Sequence, residues 1–373
     1  MYLPPSDEQR MLGESAARYL GKNPCPGGAE LARLGWLAAA FSEDLDGLGG
    51  AAADIAPVCE AIGAAGAQLP YFASVLLPAA LLRHVDDGPV RRQLVGRVAS
   101  GKSTIAVAHT ERGPVFDAEA DCACRGDPAG RLSGNKRRVW NGQVADCFIV
   151  TAGAGDQLGL YVIEASSPGV EVRTVHEDSG MDWADVSLQA APALVLQVGE
   201  AARGALAAAA AFALVGTLAE TVGLMTRIFE DTRAWLRTRR QFGKALSENQ
   251  VLQHRLVDMF IACEEARSML NLAIHLHDGA SPGEQWRGLA AAKVHIAQCA
   301  RMVGQSGVHL HGAMGITEEL WAARAYRRIE ALTTCFGGAD LHLHRYAMAQ
   351  QAASATGTGA AGVVPGESSG ACA

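Results

Sequence analysis

The sequence contains no Cys-x-x-Cys pair, no Gly-x-Gly-x-x-Gly fingerprint and no Walker phosphate loop. Its nine cysteines are scattered at 25, 59, 122, 124, 147, 263, 299, 335 and 372. An odd count without paired spacing indicates neither a zinc framework nor a disulfide scaffold, and reduced thiols in a cytoplasmic protein fit best. No run reaches the ~20 apolar residues of a membrane span. The longest, GALAAAAAFALVG at 204–216, is mostly alanine and reads as a buried helix. The opening MYLPPSDEQR has no basic stretch followed by an apolar run, so no secretory signal is expected. Positive charge is also scarce, with 32 Lys and Arg against 39 Asp and Glu and a formal charge of −7. A nucleic-acid binder is excluded on that ground, because no net positive field recruits phosphates.

What is present describes an ordinary globular chain of 373 residues, 49% hydrophobic and 19% charged, long enough for two or three domains. Residues 1–103 carry short amphipathic helical patterns, opening with a capping box at Ser6 and Gln9. Over 104–200 the pattern changes to short β-branched runs (TIAVAHTE, DCFIVTA, LGLYVIEA, GVEVRTV, PALVLQVG), with AGAGDQ marking a hairpin. These predict an antiparallel β domain. Over 201–352 the helical period returns in four long segments, the second expected to open at a capping box of Ser247 and Gln250, which predicts a four-helix bundle. Residues 353–373 are too poor in large apolar groups to form a core and are expected to be disordered. The fold class is α+β multidomain.

Within this frame one stretch stands apart, TRRQFGKALSENQVLQHRLVDM at 238–259. Arg237, Arg239 and Arg240 cluster against a Phe-Gly turn at the start of a helix, inside an acidic protein. Guanidinium groups give planar, charge-assisted bonds to phosphate, and a helix N-terminus adds its dipole. The ligand expected there is small and anionic.

Together with VHLHGAMGITEELWAARAYRRI, RLSGNKRRVWNGQVADCFIVTA and CFGGADLHLHRYA, this stretch resembles the acyl-CoA dehydrogenase family over roughly residues 5–350. The last segment is most similar to a bacterial branch of small or accessory subunits, of pimeloyl-CoA and steroid side-chain type. The resemblance implies FAD as cofactor. Arg239, Phe242 and Gln250 match positions that reach the FAD pyrophosphate of a neighbouring chain, while His309, Gly312 and Ala313 match the groove opposite. His309 stands where the family usually has Gln, and Ala313 where it has Gly. Trp140 matches a position beside flavin N5 that is typically Thr. The implied partners are an acyl-CoA or acyl-carrier thioester, a homodimer, homotetramer or heterotetramer with a related subunit, and electron-transfer flavoprotein.

Dehydrogenation in this family needs a carboxylate to remove the α-proton. Of its two positions, one holds Phe336 here and the other Ala213. Glu220, seven residues after Ala213 and ~10 Å along the helix, and Asp340 are the substitutes at hand. Each is more ordinarily a paired or capping carboxylate. The readings are therefore an FAD-dependent acyl thioester dehydrogenase or subunit of one, a non-catalytic partner subunit of a heteromer, or a flavin monooxygenase on the same scaffold. No metal site is expected. His275/His277, His309/His311 and His342/His344 are spaced i, i+2, which on a helix points them apart. Cys122 and Cys124 are expected to share a strand face in packing, and Arg137 and Arg138 to be solvated or to meet a nucleotide phosphate.

Overall fold

The computed structural model describes residues 6–355 except 46, 68, 70, 114, 115, 178–180 and 318. Five helices come first: α1 (Asp7–Leu20), α2 (Gly28–Arg33), α3 (Ala52–Ala65), α4 (Leu77–Arg83) and α5 (Pro89–Ala99). The expected capping box opens α1, with the Gln9 amide donating to Ser6 Oγ at 3.1 Å and the Ser6 amide to Gln9 Oε1 at 3.0 Å.

The strands that follow are β1 (Ile105–Ala108), β2 (Arg125–Gly126), β3 (Arg131–Trp140), β4 (Cys147–Ala154), β5 (Gln157–Glu164), β6 (Val170–Val175), β7 (Trp183–Pro192) and β8 (Leu194–Val198). They form one sheet in the order β6-β7-β3-β2-β4-β5-β8, with β1 beside β4. The β4–β5 hairpin turns where AGAGDQ placed it. The sheet is mixed rather than antiparallel, because β1 and β2 each pair parallel to β4. The physical reason is burial on both faces. Every residue of β1 is buried, with Ile105 and Val107 in the helical core and Ala106 and Ala108 in a second cluster inside the sheet. A two-sided strand needs no polar alternation and accepts a parallel neighbour.

The third region begins with α6 (Glu200–Thr238), 39 residues and ~58 Å long. It is long and apolar enough to cross a membrane, yet 89% of its apolar stretch is buried inside the protein. Residues 209–225 are buried all round, the signature of a core helix. Its closest approach is to α3. A Cβ on Gly63 would lie 2.1 Å from the Glu220 carbonyl oxygen, and one on Gly223 would lie 2.1 Å from that of Glu60. These two glycines let the backbones touch. After a small hairpin of β9 (Arg240–Gln241) and β10 (Lys244–Ala245) come α7 (Gln250–Gly279), α8 (Pro282–Leu310), α9 (Trp321–Thr334) and α10 (Ala339–Ala355). α6–α9 are the four expected long segments, and α10 is a further helix beyond them. The fourth expected segment ends at Cys335, and the turn that follows carries Phe336 and Gly337 at φ of +60° and +95°. The Ser247 capping box is also absent. A single 3-10 turn, Leu246–Glu248, intervenes, Glu248 accepts from the Ala245 amide, and α7 starts behind Asn249. Cys122 and Cys124 lie ahead of β2 and not on a strand. α10 runs to Ala355, and the rest of the expected tail lies outside the described residues.

Candidate functional site: an open arginine pocket and a closed aromatic one

The residues singled out from the sequence fall into two places. Arg239, His309, Gly312 and Ala313 line a single pocket of about 530 Å³ between the β9–β10 turn, the start of α7 and the end of α8. α6 ends at Thr238 and hands the chain to the turn. Arg239 then lies over the Trp235 ring, its Cζ 5.7 Å from the centroid. His311 stacks on the same indole at 5.4 Å, held by its Nδ1 donating to the Gly307 carbonyl at 2.7 Å. Gly312 follows with φ +65°, the left-handed turn that ends α8 and exposes backbone toward the pocket. Arg255, which sequence reasoning missed, lines the same pocket. Its signal was the i, i+4 spacing from Val251, which puts both on one face of α7. Gln250 is exposed outside the lining, and Phe242 is 99% exposed at the tip of the turn with φ +51°.

Trp140 lies elsewhere. β3 carries a register shift between Lys136 and Val139, with Arg138 at φ +48°. This bulge turns the end of the strand so that Trp140 faces the helices. The following Asn141 is also left-handed and anchors to the Ser74 hydroxyl at 2.8 Å. The indole is packed on all sides: Phe72 stacks at 6.0 Å, Trp183 at 5.5 Å, and the Arg328 guanidinium sits 5.7 Å above it. The space beside it, walled by Leu77, Thr110, Phe116, Arg138, Cys335 and Phe336, is about 10 Å³. Cofactor-sized ligands occupy pockets of roughly 300–1,000 Å³.

The carboxylate question resolves in the same region. Ala213 is fully buried, and Phe336 is 4% exposed, edge-on to Phe116 at 5.5 Å. Glu220 is buried, and both of its oxygens accept from one guanidinium, Arg328 Nε at 2.7 Å and a terminal nitrogen at 3.2 Å. Such bidentate pairing leaves no carboxylate oxygen aimed at a substrate. Asp340 is exposed in the first turn of α10, where it complements the helix dipole. Cys335, beside Phe336, is pushed up to about 11 by burial and is a neutral thiol at neutral pH.

Two histidines of the His-x-His pairs have partners of their own. His277 Nδ1 meets Asp278 at 2.9 Å, while His342 is buried, its Nε2 donating to the Phe336 carbonyl at 2.8 Å. Of the two β3 arginines, Arg138 is paired with Glu177 at 2.7 Å.

A helical bundle is thus joined to a β-sheet, with an open pocket carrying two arginines beside the start of α7. Comparison with known proteins points to one family. The acyl-CoA dehydrogenase C-terminal domain profile matches residues 202–351. The acyl-CoA dehydrogenase FadE27 of Mycobacterium tuberculosis is 26% identical over 327 residues, 85% of each chain. Among solved structures, butyryl-CoA dehydrogenase from Megasphaera elsdenii superposes with TM-score 0.83 at 21% identity, covering 94% of this chain and 100% of that one. The ChsE4–ChsE5 complex from Mycobacterium tuberculosis gives 0.81 at 23%, covering 94% and 99%. Residues 202–351 thus carry the acyl-CoA dehydrogenase C-terminal domain, and the chain as a whole shares the fold of that family.

Members of that family bind FAD, and the two pockets answer differently to it. The open pocket fits a pyrophosphate: Arg239 and Arg255 supply guanidinium donors, and the first turn of α7 adds free backbone N–H groups. The closed one does not fit a three-ring flavin, because aromatic side chains and the Glu220–Arg328 pair already fill the place beside Trp140.

Proposed function

We propose that this chain is the flavin-completing subunit of a heteromeric acyl thioester dehydrogenase, and that proton abstraction and hydride transfer belong to a related partner. The observation that carries this reading is the contrast between the ~530 Å³ cationic pocket and the ~10 Å³ space at Trp140. Arg239 and Arg255 would hold the pyrophosphate of the partner's FAD, with His309 and the Gly312–Ala313 backbone closing the other side. FAD so held supplies hydride acceptance to the partner's substrate site. The protruding Phe242 and the exposed apolar residues Val257, Ile261 and Leu272 on α7 supply surface for that association. Absence of a free carboxylate at Ala213 and Phe336 follows, since a subunit whose flavin-ring place is closed has no α-proton to remove. In a two-fold assembly of unlike chains, one flavin site would combine the partner's ring place with this chain's arginines, and the other would stay empty.

The test is to purify the chain alone and after co-expression with a related family subunit, and to record flavin absorbance before and after anaerobic acyl-CoA addition. The expected result is no flavin alone, and flavin that bleaches in the complex. A yellow chain that bleaches alone would overturn the proposal.

A further inference from the structure

Away from both pockets, three metal-ligating side chains converge on the α7–α8 seam. His295 and Cys299 lie four residues apart on α8, hence one above the other on one face. Glu265 faces them from α7, its Oε2 3.2 Å from His295 Nε2 and 3.8 Å from Cys299 Sγ. All three ligand atoms lie within 4.8 Å of one another. We propose that Glu265, His295 and Cys299 form a site for a divalent cation of the zinc class, clipping α7 to α8.

The argument is geometric and chemical. Zinc bonds of ~2.0–2.1 Å to nitrogen and oxygen and ~2.3 Å to sulfur, at tetrahedral angles, put N–O edges near 3.3 Å and S–O edges near 3.5 Å. The Glu265–His295 and Glu265–Cys299 edges, 3.2 and 3.8 Å, match these within a few tenths of an ångström. The donor set selects the ion, because thiolate and imidazole favour zinc and its neighbours over magnesium or calcium. Access is also graded. Cys299 is 7% exposed and forms the floor, whereas the side chains of His295 and Glu265 are 39% and 52% exposed. Three protein ligands with an open side leave the fourth position to water. The ion would add a cross-link between two helices already packed along each other.

The probe is Co2+ followed by competition with Zn2+, on the full chain freed of metal by chelator. The expected result is one equivalent bound, with a thiolate charge-transfer band and the intense visible bands of tetrahedral cobalt, both displaced by zinc. Zinc should also raise the melting temperature of the chain. Cys299→Ser and His295→Ala should each lose the charge-transfer band or weaken binding at least tenfold while melting normally without metal. Cys263→Ser, on the same seam, should bind as the parent does. Octahedral cobalt spectra, unchanged binding in Cys299→Ser, or equal loss in Cys263→Ser would each overturn the proposal.

Discussion

The two pockets are built from similar materials to opposite ends. Each has a left-handed non-glycine residue at a turn, Phe242 in one and Phe336 in the other, and each sets an arginine over an indole. At Arg239 the phenyl ring is thrown outward and the guanidinium has no carboxylate partner among the described residues. At Trp140 the ring is folded inward and the guanidinium is neutralised by Glu220. A left-handed backbone costs on the order of 1 kcal/mol for such residues. One turn uses it to present a side chain to a partner, and the other to seal a space. Identical local chemistry is therefore no guide to whether a site is open. What decides is which distant side chains arrive.

The largest expected effect is on the closed region. Glu220→Ala takes the carboxylate from beside the buried Arg328 guanidinium and should cost about 3–5 kcal/mol of unfolding free energy, read by denaturant titration. A loss under ~1 kcal/mol would mean that the pair does not hold the seal.

Acid should weaken the same side of the molecule. His109 is held neutral, pushed down to about 4 by burial, with Nε2 donating to the Asp117 carbonyl and Nδ1 facing the Thr151 hydroxyl. His342 is likewise lowered to about 4 by burial. Both folded values lie below the unfolded 6.5, so the unfolded chain binds more protons between about 6.5 and 4, and stability falls as pH drops through that window. The expected loss is ~2 kcal/mol per histidine by pH 5. Glu111 is lowered to about 2, with Lys136 at 2.6 Å, and its contribution persists above 4.5 and goes only as pH falls toward 2. Melting temperatures from pH 7 to 5 should therefore drop, and His109→Gln should flatten the slope.

On the open side the effect moves from stability to binding. Arg239→Ala removes a charge-assisted contact worth about 1.5–3 kcal/mol, so flavin retention by the co-expressed complex should weaken ~10–150-fold. The melting curve of the chain alone should stay within ~0.5 kcal/mol of the parent, because Arg239 is exposed and makes no ion pair among the described residues. Equal losses in both would erase the distinction between the pockets. Smallest of all, Asp340→Asn should change stability by less than ~0.5 kcal/mol and leave complex activity intact. A large activity loss would reinstate Asp340 as a base.

Much of this organisation was legible in local patterns. Ser6 and Gln9 announced α1, AGAGDQ announced the β4–β5 turn, and the cationic turn at Arg239 announced its pocket. What stayed illegible depends on contacts between remote residues. The seal at Trp140 needs Phe72 from the N-terminal helices, and Glu220 meets Arg328 across 108 positions. No window of sequence displays such pairs. The end of the fourth segment at Cys335 was legible, but the left-handed backbone of Phe336 that folds its ring inward was not. The parallel pairing of β1 with β4 depends on a second buried cluster that periodicity cannot resolve.

The most direct test is the flavin-to-polypeptide ratio of the co-purified complex, measured by denaturing release of the cofactor against subunit mass. The account expects one FAD for each pair of unlike chains, lost on Arg239→Ala of this chain. One FAD per polypeptide would contradict it, because the space at Trp140 would then have to hold a flavin ring.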